Sequence, residues 1–382
     1  MSITLSDLQS LAAGFDSDPA RSYSLPGRCY TDTAVFAAER AAIFFRSWQF
    51  VCHVECLQRP GDYVAFDIQG QSLFAIRDQA DDLTAFYNVC QHRAHELLKG
   101  QGNTKVIVCP YHAWSYRLDG SLRTARRAEL IEDFDPGEFC LKPVAIEVFC
   151  NLVFVNLDPA AAPLSVQSGG LEAEIRAYAP DLDRLTHAHR RTYTMQSNWK
   201  NVIDNFLECY HCPVAHRDFV SLVDMDNYTV TTHGLYSSHM APAGANTANT
   251  AYSVEDAEVQ DHAVWWLWPN LCLLRYPGSG NLMVLNVIPI DVETTFETYD
   301  FFFLDKEPSA QQHEAIDYID RVLQKEDIDL VESVQRGMDT PAYVRGRYMT
   351  DPDGGGLSEH GVHHFHGLVL DALGAYLGNG DS

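Results

Sequence analysis

The chain has 382 residues, 46% hydrophobic and 21% charged, the size and composition of two ordinary globular domains. Its formal charge of -25 argues against a partner made of nucleic acid or an anionic membrane surface, and no apolar run approaches the ~18 residues of a membrane span. The opening Met-Ser-Ile-Thr-Leu-Ser-Asp lacks the basic and apolar segments of a secretory leader, and ten cysteines form no regular framework, so the expected compartment is the cytoplasm and Cys/His pairs read as metal sites.

Residues 1–45 read as an N-terminal arm packing on the domain that follows residue 158, helical over 34–45 with Phe36, Ile43, Phe44 and Phe45 for burial. From 46 to 158 the pattern changes to short strands, predicted at 62–68, 72–77, 84–89, 105–109, 144–149 and 152–157. Gly61, Gly70, Gly100, Gly102 and Gly120 punctuate them, which makes a small all-β domain. Inside it stands Cys90-Gln-His92, then sixteen residues, then Cys109-Pro-Tyr-His112. One C-x-H and one C-x-x-H at this separation is the ligand set of a Rieske [2Fe–2S] centre, two thiolates on one iron and two imidazoles on the other. A zinc site could use the same four residues, but zinc usually pairs cysteine with cysteine and histidine with histidine. Trp114 is placed to shield the cluster.

Residues 159–170 read as a linker, and 159–382 as a second domain. A helix is expected at 171–178 and a strand at 191–196. Asn198-Trp-Lys-Asn-Val-Ile-Asp-Asn-Phe-Leu-Glu-Cys-Tyr-His-Cys-Pro-Val-Ala-His216 then begins as a helix, with Trp199, Val202, Phe206 and Leu207 on its apolar side. Pro213 should end that helix near Cys212, leaving Glu208 and His211 on one helical face and letting His216 swing beside them. Two imidazoles and a carboxylate with open positions is the facial set of a non-haem Fe(II) centre. Strands follow at 228–232, 263–268, 271–276, 282–287 and 295–303, with a small, polar loop at 241–251 as a candidate lid and a helix over 309–336. Sheet and helices make this domain α+β. Cys209 and Cys212, Cys52 and Cys56, and the His360, His363, His364 and His366 group imitate metal motifs. Core packing, capping and hydrogen bonding explain them as well.

Phe86-Tyr-Asn-Val-Cys-Gln-His-Arg-Ala-His95, Cys109-Pro-Tyr-His-Ala-Trp114, the 198–212 stretch, Leu330-Val-Glu-Ser-Val-Gln-Arg-Gly337 and Gly356-Leu-Ser-Glu-His-Gly-Val-His-His-Phe-His-Gly367 together resemble the oxygenase (α) subunit of Rieske non-haem iron oxygenases, in the carnitine monooxygenase and betaine-demethylase branch. The resemblance implies a helix-grip catalytic domain and a homotrimer arranged head to tail. It implies His211, His216 and Asp327 as iron ligands, with Asp329 and Glu326 as neighbouring alternatives to Asp327. Glu208 then becomes a carboxylate bridging to a Rieske histidine such as His112 of the next subunit, and Asn205 lies by the iron and gates access. Gln91 and Ala94 stand where the family commonly has Pro and Gly, which bears on loop shape and reduction potential.

The function so implied is O2-dependent oxidation of a quaternary ammonium compound. N-demethylation of stachydrine or glycine betaine with release of formaldehyde is placed ahead of carnitine C–N cleavage to trimethylamine and of aromatic-ring dioxygenation. Trp265, Trp266, Trp268 and Tyr210 are the aromatic faces available for a cation, or else core. The chain carries neither a dinucleotide fingerprint nor a plant-type ferredoxin motif, so electrons from NAD(P)H must come through a separate flavin/iron–sulfur reductase.

Overall fold

The structure is a computed structural model and describes residues 3–242, 249–254 and 258–378. It divides into two compact units, residues 44–166 and residues 1–43 together with 167–382.

Ten strands build the first unit: β1 (Gln49–His53), β2 (Asp62–Ile68), β3 (Gln71–Arg77), β4 (Leu83–Tyr87), β5 (Gln101–Asn103), β6 (Ile107–Val108), β7 (Ser115–Tyr116), β8 (Leu122–Thr124), β9 (Pro143–Phe149) and β10 (Leu152–Asn156). They form a seven-stranded sheet in the order β1-β10-β9-β4-β3-β2-β5 and a small sheet β6-β7-β8. The β2–β3 hairpin turns on Gln69 (φ 51°) and Gly70 (φ 84°), the paired positive dihedrals that match a strand's right-handed twist. At Gly120 (φ 82°) the next turn presses on Phe86, where a Cβ would stand 2.5 Å from the ring. Phe74, Ile76, Phe86, Ile107, Tyr116 and Leu118 fill the core, and Cys90 and Cys109 are buried in the same cluster. The expected linker is not featureless, because Leu164–Gln167 makes a short helical turn.

The second unit is organised on one antiparallel sheet of β11 (Thr186–Met195), β12 (Thr229–Thr232), β13 (Tyr236–Ala241), β14 (His262–Leu267), β15 (Leu271–Arg275), β16 (Asn281–Pro289) and β17 (Thr295–Phe303), in the order β11-β17-β16-β15-β14-β13-β12. β14 and β15 are buried along their whole length, which is why they read as unbroken apolar runs. β13 has no such signature. Its Ser237, Ser238 and His239 are polar yet buried. The expected 309–336 helix is instead Ala310–Tyr318, a π-helical stretch Ile319–Leu323, and Gln324–Met338. Such a stretch re-phases the residues beyond it, Asp327 among them. The arm shows the same device, Thr33–Glu39 continuing into a π-helical Arg40–Phe44. It anchors the Trp199–Phe206 helix through Glu39, which pairs with Lys200 at 2.7 Å, both side chains fully buried, and accepts from Trp199 Nε1 at 3.0 Å. Among the described residues no helix is long and apolar enough to cross a membrane.

Candidate metal centres

Asn198 starts the Trp199–Phe206 helix by accepting from Lys200 N at 3.0 Å, and Trp199, Val202 and Ile203 bury its apolar side. The helix ends at Phe206, before the end near Cys212 expected from Pro213. Pro213 does not terminate it. Proline suits a helix's first turn, and here it sits in the first turn of a separate short helix, Cys212–Ala215. Glu208 and His211 therefore share a tight loop, not a helical face. Cys209 and Cys212, which imitate a metal motif in sequence, close that loop as a disulfide around His211.

This loop brings His211 and His216 to Asp327. His216 Nε2 lies 3.0 Å from His211 Nε2 and 2.9 Å from Asp327 Oδ1, and His211 Nε2 lies 3.6 Å from the same oxygen. One donor atom from each of the three falls within 4.8 Å of the others. Donors about 2.1 Å from an ion and at right angles would stand about 3.0 Å apart, so the set fits a facially coordinated metal. The outer nitrogens are held by other acids. His211 Nδ1 donates to Glu208 Oε1 at 2.5 Å and His216 Nδ1 to Glu326 Oε2 at 2.8 Å. Glu208 also accepts from the backbone N–H groups of Tyr210 and His211. Of the alternatives to Asp327, Glu326 thus takes the outer side of His216, and Asp329 points away to Lys325 at 3.1 Å.

Electrostatics follow this layout. Burial alone would lower His211, but the hydrogen bonds and charges of Asp327 and Glu208 outweigh it and lift it to about 10. His216 rises for the same reason against the same burial penalty, through Asp327 and Glu326. Asp327 is held below the ordinary carboxylate range because both imidazoles outweigh its desolvation. Nearby Glu297 is pushed up to about 8 by burial and by the charge of Asp327.

Two cavities flank the triad. One, with about 490 Å³ of empty volume, is walled by Phe206, Phe219, Tyr228, Tyr276 and His262. The other runs past Asp204, Glu208, Arg347 and His366. Asn205 lines both, and its Nδ2 is 3.4 Å from His211 Nε2. The aromatic wall is built from rings other than the tryptophans. Trp265 and Trp266 are fully buried, Trp265 edge-on to Tyr178 and Trp266 against Trp268 and Phe365, so all three tryptophans are core, while Tyr210 is 52% exposed. Phe206, Phe219, Tyr228 and Tyr276 were missed because they come from four separate segments with no shared period. Part of the expected lid, residues 243–248, lies outside the described residues.

The C-terminal histidines all have protein partners. His360 bonds Ser358 and the Val230 carbonyl, His363 the Asp16 carbonyl, His364 the Gly234 carbonyl, and His366 Asp204 and Tyr348. This is hydrogen bonding within the fold, as the simpler reading had it.

In the first unit, two loops of the same shape meet. Ala94 N donates to Cys90 O at 2.9 Å and Ala113 N to Cys109 O at 3.0 Å, with Ala94 (φ 56°) and Ala113 (φ 59°) both left-handed. The Cys90 and Cys109 thiols are both buried. The His92 and His112 rings stand 4.7 Å apart, and Trp114 stacks on His92 at 4.7 Å. His112 Nδ1 is buried with no partner among the described residues, an atom that a cluster iron would satisfy. The donor set, two sulfurs inward and two imidazoles outward, fits a [2Fe–2S] group.

Comparison with known proteins agrees with this geometry. Residues 47–135 match the Rieske [2Fe-2S] domain family, and residues 182–375 match the ring hydroxylating alpha subunit (catalytic domain) family. The carnitine monooxygenase oxygenase subunit of Escherichia coli (strain K12) is 39% identical over 365 residues, 95% of this chain and 97% of that protein. The chloroplastic choline monooxygenase of Beta vulgaris is 32% identical over 386 residues, 97% of this chain and 82% of that protein. A crystal structure of a quaternary ammonium Rieske monooxygenase in complex with L-carnitine aligns with a TM-score of 0.85 at 36% identity, covering 94% of this chain and 97% of that one. The chain belongs to the Rieske non-haem iron oxygenases, as an oxygenase α subunit. It is an oxidoreductase that incorporates O2, carries a Rieske cluster and a mononuclear iron, and receives its electrons from a reductase.

Proposed function

We propose that this chain is the terminal oxygenase of a two-component system acting on a quaternary ammonium compound. His211, His216 and Asp327 hold Fe(II), and Cys90, His92, Cys109 and His112 hold the cluster. The observation that carries the substrate class is the cavity beside the triad. Phe206, Phe219, Tyr228 and Tyr276 offer ring faces, Glu208 offers negative charge, and no Arg or Lys lines it among the described residues. A permanent cation without N–H donors can be held only by such faces and charges, each desolvated ring contributing ~1–2 kcal/mol.

When bound, the cluster supplies single electrons and the mononuclear iron supplies the site of O2 reduction. The protein's own part is to orient and insulate. Glu208 fixes the His211 ring from its outer nitrogen, and in a head-to-tail homotrimer we place it against His112 of the next subunit, where it would couple the two metals. Asn205, lining both cavities, stands where access to the iron is controlled.

Within the class, the relatives favour carnitine over the betaine demethylation ranked first from sequence. Hydroxylation of the methylene carbon next to nitrogen takes one oxygen atom from O2. The other leaves as water with two electrons from the reductase and two protons, and the carbinolamine then collapses to trimethylamine and an aldehyde. The test is turnover under air with NADH and a reductase on L-carnitine, choline, glycine betaine, stachydrine and benzoate. Trimethylamine from carnitine is expected. Formaldehyde from a betaine would restore demethylation, and turnover of benzoate alone would overturn the substrate class.

A further inference from the structure

One polar side chain in the aromatic cavity has no task in the iron site. His262 opens β14, is 2% exposed, and lines the cavity between Phe219, Tyr228 and Tyr276, whose ring centroids lie 5.4, 5.6 and 4.9 Å away. Its Nδ1 is buried with no hydrogen-bond partner among the described residues. The other histidines of this region are engaged, His211 and His216 by acids and His239 by Ser237 at 3.1 Å. Burial, with His239 adding repulsion, pushes His262 down to about 3, so its ring is neutral throughout the working pH range. A neutral imidazole has one N–H to give and one bare nitrogen to receive. Buried polar groups are rarely left unmatched, and an unpartnered imidazole among the side chains that line a ligand cavity points to a ligand atom.

We infer that His262 determines specificity by hydrogen-bonding the hydroxyl of an N–C–C–OH segment, so that the preferred substrates are β-hydroxy quaternary ammonium compounds whose cation lies against the neighbouring rings. This rests on the quaternary-ammonium reading above and narrows it. A hydroxyl fits better than a carboxylate. No Arg or Lys lines the cavity among the described residues, and the undescribed stretches 243–248 and 255–257 contain neither residue in their sequence. A carboxylate here would meet Glu208 and an imidazole that stays uncharged. A hydroxyl carries no charge, and it can donate to one ring nitrogen or accept from the other. Choline and carnitine share the N–C–C–OH segment. Glycine betaine and γ-butyrobetaine lack it.

The test uses the holoenzyme and two matched pairs, choline with ethyltrimethylammonium and carnitine with γ-butyrobetaine, with calorimetric Kd and KM measured for each. The wild type should bind the hydroxylated member of a pair roughly tenfold more tightly, the effect of one hydrogen bond to a buried neutral group. His262→Phe should erase that preference by weakening the hydroxylated member while leaving the other within about twofold, and His262→Gln, which keeps an amide donor, should restore much of it. Should the Phe variant fail to fold, His262→Leu makes the same comparison. A wild type without hydroxyl preference, or a variant that weakens both members equally, overturns the role of His262 and leaves the substrate class standing. Loss of affinity for carnitine and γ-butyrobetaine but not choline would give the ring to the carboxylate and overturn the hydroxyl. Binding of none of the four overturns the substrate class, and this inference with it.

Discussion

The chain's two histidine pairs are set in opposite electrostatic surroundings. His92 and His112 project outward from loops whose sulfurs point into the core, and neither has an acidic partner among the described residues. His92 is pushed below its ordinary value by burial, by its neighbour His112 and by Arg93. His211 and His216 sit among Glu208, Glu326 and Asp327 and are both raised. The difference matches two tasks. A [2Fe–2S] group held by thiolates brings its own anionic ligands and needs an exposed imidazole edge for electron traffic. A lone divalent ion needs a local carboxylate, and imidazoles whose ring angle is fixed from outside.

The largest effects should come from removing a ligand on either side. His216→Ala should drop iron from about three per chain to about two, leave the cluster's visible spectrum intact, and reduce turnover at least ~1000-fold, since the proposed site of O2 reduction is lost. His112→Ala should do the reverse, bleaching the cluster while the triad still takes up one Fe(II). If His216→Ala also bleached the cluster, the two sites would not be the separate sets described. Glu208→Gln comes next, at about 10- to 100-fold in turnover, the usual cost of losing a carboxylate behind a metal-bound imidazole.

Proton content separates the pairs more finely. In the metal-free chain His211 titrates near 10, above the ~6.5 of an unfolded histidine. A raised folded-state value adds stability that is fully present below the unfolded value and is lost as pH rises through the folded one. Metal-free protein should therefore lose thermal stability between pH 7 and 10. Iron binding displaces protons from the triad, so Fe(II) affinity should rise with pH over the same interval, about tenfold per unit for each proton released. Chelator competition at three pH values together with thermal melts checks both directions. A flat affinity profile would show that the acids around His211 do not hold its proton.

How far each pair was legible follows from how local it is. Cys90, His92, Cys109 and His112 lie within 23 residues on two tight loops, so spacing alone gives the ligand set. The proposed iron site joins His211 to an acid more than a hundred residues away, and a π-helical stretch at Ile319–Leu323 sets the phase of that acid. Periodicity cannot count such an insertion, and Asp327 was separable from Glu326 and Asp329 by resemblance alone. Several strands showed in their alternation, and β14 and β15 as unbroken apolar runs, while the short β1, β5, β7 and β8 went unread. β13 did not show either, because its buried Ser237, Ser238 and His239 look like solvent-facing residues. The cavity wall was invisible for a related reason. The tryptophans, readable from sequence as cation faces or as core, are core, and the rings that line the cavity beside the triad are single residues from four places.

The cluster side can be sharpened through Tyr116. Its hydroxyl lies 3.3 Å from Cys90 Sγ and accepts from Gln91 N at 2.9 Å, which leaves its own hydrogen free for the sulfur. Donation to a cluster sulfur favours the reduced, more negative state and raises the potential. Tyr116→Phe should lower it by about 50 mV, the equivalent of roughly one hydrogen bond for a one-electron couple. Gln91→Pro, which removes the N–H that orients the hydroxyl, should lower it by less. No such change is expected from His216→Ala, because that ligand belongs to the other pair.

The smallest effect tests the loops themselves. Ala94 and Ala113 hold equivalent positions, each four residues after its cysteine and each in the left-handed region, at φ 56° and 59°. A Cβ there costs about 1–2 kcal/mol per residue, part of which glycine returns as a more flexible unfolded chain. Ala94→Gly should therefore stabilise the protein by only about 0.5–1 kcal/mol, seen as a shift of a few degrees or less in the thermal midpoint. The cluster potential should stay within about 10 mV, because the Tyr116 contact to Cys90 is untouched. A large potential shift without a change in stability would mean that Ala94 shapes the cluster's surroundings and not merely the backbone that carries it.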